Sequence, residues 1–424
     1  MQHRDDARKQ ALANAIESAM QDKSELELII KATGRREDVA RQLERIGKVR
    51  RFYGLIPYIS LRCGFDYAGI LVKATSGDVE DSVFERTFRR IIPEISRIDA
   101  SSTITIHGVS AILLEKTKAA LWNLDAIGAY EAQHYGSGEG VSVAVADTGI
   151  DYTHSQLRDR FGSDKGHDFV KDDGKPFDEN GHGTHVAGII ASSGYGVAPS
   201  SRLYSVRVLD GNGSGSEADL IAGIEWCIQN GIDIVNMSLG SPAASSALED
   251  ICTYAWQRGM ILVAAAGNNG YGANYPAAFG DSVIAVAAVD EALNRPDFSA
   301  IYETNDIAAP GVKINSTYPG EQYANLTGTS MASPHVAGAL SLIMSITGGN
   351  EMLEEQMKEK ARRLGKPEEF GAGLVRVDRM AESLQSGYAG ASLLPRYLRL
   401  EHAAGNALKR FTGEAAAEMK RWLP

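Results

Sequence analysis

Residues 328–338, GTSMASPHVAG, constrain the fold most strongly, because a serine, a proline and a helix start occur together in one short segment. Apolar residues such as Val336 and Leu340 recur at helical spacing after Ser330, which predicts a helix that begins near this serine. Pro334 fits only the first turn of that helix, where its missing N–H needs no partner. The backbone N–H of a serine there stabilises a nearby oxyanion, although an ordinary N-cap serine has the same pattern. This segment alone leaves both interpretations open.

Two distant segments supply the groups that would make such a serine reactive. Residues 141–149, VSVAVADTG, form an apolar strand pattern that ends at Asp147, whereas Asp151 lies in the loop that follows. Buried parallel strands carry functional groups at their C-terminal ends, which favours Asp147. Residues 180–188, NGHGTHVAG, place His182 at a second glycine-rich helix start. In acyl transfer a serine attacks, an imidazole accepts and returns its proton, and a carboxylate orients the imidazole, so these segments predict a serine acyl-transfer enzyme.

The three segments resemble the motifs of the subtilisin-like serine proteases, or subtilases, both in sequence and in the chain order Asp147, His182, Ser330. The likeness extends from about Leu121 to about Asp378. It implies an α/β fold with a doubly wound parallel sheet and helices on both faces, and a serine endopeptidase that works through an acyl-enzyme. The alternation of strand and helix patterns after residue 141 indicates the same fold class independently of the resemblance.

The resemblance also assigns roles that the residues leave open. Spacing does not distinguish His182 from His185, and the family pattern selects His182 as the base. Asn268 follows an apolar run and a glycine, where an asparagine could equally form a turn. In the family pattern this asparagine is an oxyanion donor, together with the backbone N–H of Ser330. The resemblance therefore implies catalytic Asp147, His182 and Ser330 and an oxyanion hole of Asn268 and Ser330.

Substrate is expected to bind as an extended strand between two segments of small residues, because small side chains allow the backbones to approach closely. The resemblance places these edges at Gly213, Ser214 and Gly215 and at Ser238, Leu239 and Gly240, with Ala266 and Gly267 at the pocket for the residue before the scissile bond. No acidic residue is evident at the base of this pocket, so we expect neutral, apolar or aromatic side chains there. Asn274 stands where the family commonly has small residues.

No cofactor is expected for the chemistry. The metal for which the sequence offers candidate ligands is a structural Ca²⁺ ion. The run after Ala191 lacks the inserted loop that holds Ca²⁺ in many subtilases. Asp168 and Asp173 match a calcium loop of some thermostable relatives, and carboxylate oxygens are ligands that Ca²⁺ prefers. Lys171 and Lys175 disfavour a cation there, so a solvated turn is an equal alternative.

The residues before the subtilase-like region resemble the family's propeptide in position. Strand and helix patterns alternate there, with strands predicted at 26–32, around Gly54 and at 102–106, and helices at 35–48 and 78–92. We expect a small α+β domain that aids folding and occupies the groove of its own enzyme, with the cut between His107 and Ala120; an unrelated N-terminal domain is the alternative. The predicted divisions are a helical extension at 1–25, the propeptide at 26–108, the processing junction at 109–120, the catalytic domain at 121–384 and a C-terminal helical extension at 385–424.

Composition and charge narrow the possible partners. The chain has 43 Lys and Arg against 54 Asp and Glu residues, a net charge of −11, which disfavours a nucleic-acid partner. Its longest apolar runs are too short to span a bilayer, so no membrane span is expected. The charged first residues lack a signal-peptide pattern, so we expect a cytoplasmic protein, or a secreted one whose signal is absent from this chain. Cys63, Cys227 and Cys252 have unrelated spacings and predict neither a metal motif nor a disulfide framework.

Other enzyme and binding classes fit the sequence less well. A serine esterase on a doubly wound sheet would need a G-x-S-x-G elbow and the chain order Ser, Asp, His, and neither is present. A peptide-binding protein without activity is disfavoured by the complete set of catalytic side chains, while transpeptidation by the same acyl-enzyme stays open. The expected partners are therefore protein or peptide substrates and the chain's own propeptide.

Overall fold

The computed structural model describes residues 2–64, 67–69, 71–72, 95–106, 112–114, 121–350 and 352–388. Residues 2–106, which we call the N-terminal unit, contain α1 (Gln2–Asp22), β1 (Glu25–Ala32), α2 (Arg36–Leu43), β2 (Gly47–Phe52), β3 (Tyr58–Gly64), β4 (Ile95–Ala100) and β5 (Thr103–Thr105). Four of these strands form an antiparallel sheet in the order β2-β3-β1-β4. Leu12 of α1 and Val39 of α2 share one buried cluster with Leu28 of β1, so both helices cover the same sheet.

Most of the secondary structure predicted for the described residues of this unit is confirmed, but one strand was not predicted. The strands predicted at 26–32 and around Gly54 correspond to β1, β2 and β3, and the predicted helix at 35–48 is the shorter α2. The predicted last strand exists as β5, but the fourth position of the sheet belongs to β4, which the pattern missed. Ile95 and Ile98 of β4 are three residues apart, a spacing without strand alternation, and the opposing β1 has an irregular register there. The helix predicted at 78–92 lies outside the described residues.

The C-terminal unit, residues 121–388, is organised around a parallel sheet. The chain enters it through β6 (Ile112–Leu114), which lies within the predicted processing junction. The strands that follow are β7 (Ser142–Asp147), β8 (Gly166–Asp168), β9 (Arg202–Arg207), β10 (Ser214–Ser216), β11 (Ile234–Met237), β12 (Ile261–Ala265), β13 (Ile284–Val289), β14 (Asn305–Pro310), β15 (Ile314–Tyr318) and β16 (Gln322–Leu326). Seven of them pair in the order β14-β13-β12-β11-β7-β9-β8, and every neighbouring pair is parallel. A three-stranded sheet, β15-β16-β6, is antiparallel, and β10 pairs with β5 of the N-terminal unit.

Helices cover both faces of the parallel sheet, which confirms the predicted doubly wound α/β fold. The helices of this unit are α3 (Trp122–Ile127), α4 (Ala129–Ala132), α5 (His182–Ala191), α6 (Glu217–Gln229), α7 (Ser246–Gln257), α8 (Thr329–Thr347), α9 (Leu353–Lys360), α10 (Pro367–Phe370) and α11 (Val377–Tyr388). Val143 and Val145 of β7 pack in one cluster with α5 and α8, whereas Ala144 and Ala146 pack in another with α6 and α7. The alternation follows from the two-residue period of a strand.

The order of the strands determines where the functional groups gather. β7 lies between β9 and β11, so the chain leaves β7 toward one side and later returns to its other side. In open parallel sheets, sites form beyond the carboxyl ends of the strands at such a reversal. Asp147 ends β7, and Ser238 follows β11 directly. The predicted acid and one predicted edge of the groove therefore lie at the same end of the sheet.

The two units are joined by strand pairing and by a shared apolar cluster. β5 pairs antiparallel with β10, and β6 pairs antiparallel with β16. Ile29 of β1 and Tyr58 of β3 lie in the same buried cluster as Leu220 of α6 and Ile251 of α7. Within the described part of the chain no helix is long and apolar enough to cross a membrane. The predicted C-terminal extension begins inside α11, and residues 389–424 lie outside the described residues.

Candidate active site

Asp147 and His182 form a buried pair at the carboxyl end of the sheet. His182 is the first residue of α5, after Gly181, whose φ of 112° favours glycine. His182 Nδ1 lies 2.8 Å from Asp147 Oδ1 and 2.9 Å from Oδ2. A carboxylate can only accept here, so Nδ1 carries the proton and Nε2 is left as an acceptor. Nε2 is buried and has no hydrogen-bond partner among the described residues, so the base is oriented and available.

Ser330 lies in the first turn of α8, as the motif predicts, but the expectation that Pro334 lies in that turn is wrong, because Pro334 is the sixth residue of the helix. Its missing N–H leaves the carbonyl of Ser330, four residues earlier, without the usual helical donor. Its Oγ donates to the carbonyl of Ser238 at 3.1 Å, and Ser238 Oγ donates to the carbonyl of Ser330 at 2.8 Å. No hydrogen bond joins Ser330 to His182 in the part of the chain that is described. Such bonds are often made only when substrate binds, and rotation about χ1 redirects a serine hydroxyl. The structure therefore pairs the predicted acid with the predicted base and holds the predicted nucleophile against the groove edge.

Asn268 and the backbone N–H of Ser330 border the same small space. Asn268 Oδ1 accepts from the backbone N–H and the hydroxyl of Thr329, at 2.9 and 2.8 Å. These two bonds fix the amide, so Nδ2 points away from Thr329. A Cβ built on Gly328 would lie 3.1 Å from Asn268 Nδ2 and 3.7 Å from Ser330 N, so the space exists because residue 328 is a glycine. Two N–H donors beside such a space form an arrangement that can bind an oxyanion.

The two predicted groove edges are brought together, and a strand of the same chain lies between them. β5 pairs with β10 in the register Thr105 opposite Ser214 and Ile104 opposite Gly215. On the other side, the backbone groups of Thr105 and Gly240 exchange two hydrogen bonds of 3.1 Å. The groove thus binds an extended segment by main-chain pairing on both sides, independently of side-chain sequence.

The other two buried histidines near the site have different surroundings. His185 Nε2 lies 2.9 Å from the carbonyl of Ile314 and 3.0 Å from that of Ala324, and burial lowers the pKa of His185 to about 3. His335 Nε2 contacts Asn123, and burial lowers the pKa of His335 to about 4. Neither has a carboxylate partner in its hydrogen bonds, so both stay neutral and act as packing residues.

Comparison with known proteins agrees with this geometry. The model of the subtilase family matches residues 138–373. The chain is 42% identical over 299 residues to the thermostable alkaline protease of Halalkalibacterium halodurans. This alignment covers 68% of this chain and 78% of that protein. The chain belongs to the subtilase family. Subtilisin Savinase of Lederbergia lenta is 44% identical over 266 residues, 61% of this subtilase and 97% of Savinase. Subtilisin DY of Bacillus licheniformis is 43% identical over 264 residues, 59% of this chain and 94% of subtilisin DY.

Membership confirms the predicted enzyme class: this subtilase is a serine endopeptidase that acts on proteins, and subtilases need no cofactor for catalysis. The matched residues include all three motif segments and both groove edges. The residues that the family model matches do not include the N-terminal unit, so that match bears on the C-terminal unit alone.

The Asn274 side chain restricts the pocket that the sequence predicts for the residue before the scissile bond. Asn274 donates from Nδ2 to the carbonyl of Ala265 at 2.8 Å. A Cβ on Gly240 would lie 2.2 Å from the Asn274 amide, and a Cβ on Gly267 would lie 2.9 Å from Asn274 Cβ. The Asn274 side chain therefore fills the space between these glycines, so the predicted pocket would be shorter and more polar than one formed by small residues alone.

Asp168 and Asp173 do not form a cation site. Asp168 Oδ2 accepts from the buried Arg207 at 3.1 Å, and Oδ1 accepts from the backbone N–H groups of Val170 and Lys171 at 2.9 Å each. Asp168 and Asp173 also exchange two backbone hydrogen bonds that close a tight turn. With both oxygens of Asp168 already paired, this donor set does not fit Ca²⁺. Within the described ranges, no group of three or more His, Cys, Asp or Glu side chains could hold a metal.

Proposed function

We propose that this serine endopeptidase cleaves peptide bonds through Asp147, His182 and Ser330, with an acyl-enzyme on Ser330. The observation that carries the proposal is the orientation of His182, whose Nδ1 is bound by both oxygens of buried Asp147 while Nε2 has no described partner. When substrate enters, the hydroxyl of Ser330 turns from the Ser238 carbonyl to Nε2 and gives up its proton there. Ser330 Oγ then attacks the carbonyl carbon of the scissile bond.

The remaining steps use groups at the start of α8. The oxyanion accepts hydrogen bonds from the backbone N–H of Ser330 and from Asn268 Nδ2, which border the space at Gly328. His182 returns its proton to the leaving amine, and the C–N bond breaks to give the acyl-enzyme. A water then repeats the sequence: it loses a proton to Nε2, attacks the ester carbonyl and releases Ser330 with the acid product. Asp147 keeps the imidazole oriented and stabilises its protonated form.

We further propose that the N-terminal unit is the propeptide, which aids folding and blocks the groove until the enzyme cuts it. β5 binds both edges of the groove by backbone pairing, as a substrate strand would. If the antiparallel register of Thr105 opposite Gly240 is continued by two residues, it leads to residue 107 on one side and Ser238 on the other. Because Ser238 holds Ser330, we expect the processing bond to be His107–Gly108. These two residues lie outside the described ones, and the expectation rests on the register of Thr105.

The contacts between the units support a role in folding as well. Asp99 Oδ2 accepts from the backbone N–H and hydroxyl of Ser246 at 2.9 and 2.7 Å, at the start of α7. Ser101 Oγ accepts from the backbone N–H of Ala218 at 3.3 Å, at the start of α6. Exposed N–H groups at helix starts need such acceptors. The N-terminal unit thus supplies caps to two adjacent helices that carry the groove wall.

The test combines a covalent inhibitor with one substitution. Phenylmethylsulfonyl fluoride should add a single group at Ser330, located by mass spectrometry of a digest. The Ser330→Ala chain should remain at full length, and its activity should fall by roughly 10⁶-fold, the size of loss known for subtilisin. The active enzyme from the unsubstituted chain should begin at Gly108. Labelling elsewhere, or a Ser330→Ala chain that is still cut in isolation, would contradict the catalytic proposal; an active enzyme that still begins at Met1 would contradict the processing proposal.

A further inference from the structure

Glu217 is a buried carboxylate at the far end of the groove. It is the first residue of α6, and its exposed fraction is 1%. Glu217 Oε1 accepts from the backbone N–H and the hydroxyl of Ser245, at 2.7 and 2.6 Å. Glu217 Oε2 accepts from the backbone N–H of Ser102 at 3.0 Å. The backbone N–H of Glu217 donates to the carbonyl of Ser102 at 2.9 Å. Glu217 therefore binds both backbone polar groups of a single residue of the inserted strand.

These contacts continue the strand ladder by one step. In antiparallel pairing every second residue pair exchanges two hydrogen bonds, and Ile104 opposite Gly215 places Ser102 opposite Glu217. The carbonyl of Glu217 cannot serve this pair, because the first residue of a helix gives its carbonyl to the N–H four residues on. The carboxylate takes the place of that carbonyl. Without it, the pairing would end where α6 begins.

The two carboxylate oxygens have separate tasks. Both hydrogen bonds to Oε1 come from Ser245, which belongs to the C-terminal unit and precedes α7. These bonds hold the carboxylate in place whether or not a strand occupies the groove. The described bond to Oε2 comes from the inserted strand alone. The side chain is therefore preorganised to accept from an incoming backbone N–H, which lowers the entropic cost of binding.

We propose that Glu217 is a specificity-determining residue that selects extended polypeptide segments long enough to place a backbone N–H at the position of Ser102. This rests on the proposed function, because it takes the β5 groove to be the substrate groove. Segments that start later than this position, or that have proline there, lack the N–H and lose this bond. The enzyme thereby favours the interior of unfolded chains over short peptides and chain ends. The backbone pairing of Thr105 with Ser214 and with Gly240 does not involve the Glu217 side chain.

The test uses acetylated, internally quenched peptides and the active enzyme that the full chain yields. One peptide spans residues 103–112, a second spans 102–112, and a third is the second with an N-methyl group on Ser102. The acetyl group of the first peptide replaces the carbonyl of Ser102 but not its N–H, and the third keeps the length but removes the N–H. Assays at about pH 9 keep Glu217 ionised, since burial raises its pKa to about 7.

The second peptide should be cleaved with a kcat/KM about tenfold or more above the first and the third, the value of a hydrogen bond to a charged acceptor. In Glu217→Ala the ratio between the second and third peptides should fall toward one. The ratio is taken within one variant, so partial unfolding does not affect it. Equal cleavage of the second and third peptides by the unsubstituted enzyme overturns this proposal alone. Failure of the processed enzyme to cleave any of the three peptides overturns the proposed function, and the substrate role of Glu217 with it.

Discussion

The two units of the molecule bury their apolar residues in different ways. In the C-terminal unit, helices of the same unit cover both faces of the sheet, and neighbouring residues of β7 such as Val143 and Ala144 pack in separate clusters. Among the described residues of the N-terminal unit, helices of the unit itself cover one face of its sheet. Leu28 and Ile30 of β1 pack under α1 and α2, whereas Ile29 packs among residues of α6 and α7. The N-terminal sheet thus completes its second face only on its neighbour, while the C-terminal sheet covers itself.

Each unit therefore depends on the other for a different kind of contact. The N-terminal unit needs the other for apolar burial, which supplies the largest favourable term in folding. The C-terminal unit receives polar groups instead: acceptors for the helix starts at Ser246 and Ala218, and a cation, Arg51, beside Asp219. Substitutions in the catalytic machinery should therefore leave the attachment of the units intact, and substitutions at their contact should change attachment without changing the chemistry.

The largest expected effect is a loss of kcat in Asn268→Ala, a substitution that lies within the C-terminal unit. Loss of one oxyanion donor should lower kcat by roughly 10²- to 10³-fold with little change in KM, the loss known for the corresponding donor of subtilisin. Inhibition by the released N-terminal unit should change far less than kcat, because the pairing of β5 and the contacts at the starts of α6 and α7 hold that unit. Steady-state kinetics measures both. A raised KM with an unchanged kcat would make Asn268 a binding residue instead.

A pH-dependent effect should arise at Glu217, where the units meet. Burial raises the pKa of Glu217 from 4.5 to about 7, so between these pH values the folded chain holds a proton that the unfolded chain has lost. The free energy of unfolding must then fall as pH rises through this window and level off above it, by up to about 3 kcal/mol. Glu217→Gln in the Ser330→Ala background removes this contribution. Denaturation of both chains at several pH values should give curves that diverge from pH 4.5 to 7; parallel curves would contradict the assignment.

A smaller effect should follow the loss of Arg51, which joins the units through Asp219 at 2.7 Å and the carbonyl of Phe169 at 2.6 Å. Arg51→Ala leaves the buried Asp219 with fewer partners and should weaken inhibition by the released unit about 30-fold, or roughly 2 kcal/mol. The matched control is Arg41→Ala, because Arg41 pairs with Asp38 on the exposed face of the same unit. The control should change the inhibition constant by less than about twofold. Equal effects of the two variants would mean that Arg51 does not contribute to the attachment of the units.

The smallest effect should come from metal removal. Asp168 is already paired with Arg207 and two backbone N–H groups, and Asp151 accepts from Thr153 and Gly320. A chelator should therefore shift the Tm of the Ser330→Ala chain by less than about 1 °C. A structural ion at 100 times its Kd would contribute about 2.7 kcal/mol, so its removal would lower Tm by several degrees. A drop of that size would show that a metal binds.

The sequence predicted the fold and enzyme class of the C-terminal unit well, because their signals are local. An apolar strand that ends in Asp147 and a glycine-rich helix start at His182 can each be recognised from neighbouring residues. The parallel sheet then places the strand end and the helix start at one edge. The roles of Asp147, His182, Ser330 and Asn268 stay predictions that the geometry supports.

The features that could not be predicted from the sequence are contacts between residues that are distant in the chain. β5 was recognised as a strand, but its pairing with β10 is set by the packing of one unit on another. The role predicted for Asp168 failed to allow for Arg207, because nothing local to either residue indicates that they form an ion pair. Glu217 has the sequence of an ordinary acidic helix start, and only its contact with Ser102 distinguishes it.

The positions of β5 and β6 have a consequence for how the enzyme would become active. β5 lies in the groove and β6 lies on β16, and only residues 106–111 join them. While this connection is intact, the blocking strand is tethered at an effective concentration in the millimolar range. After the cut, its occupancy depends on the total amount of protein present, and dilution alone removes it. The same cleaved molecules would be silent in a concentrated solution and active in a dilute one.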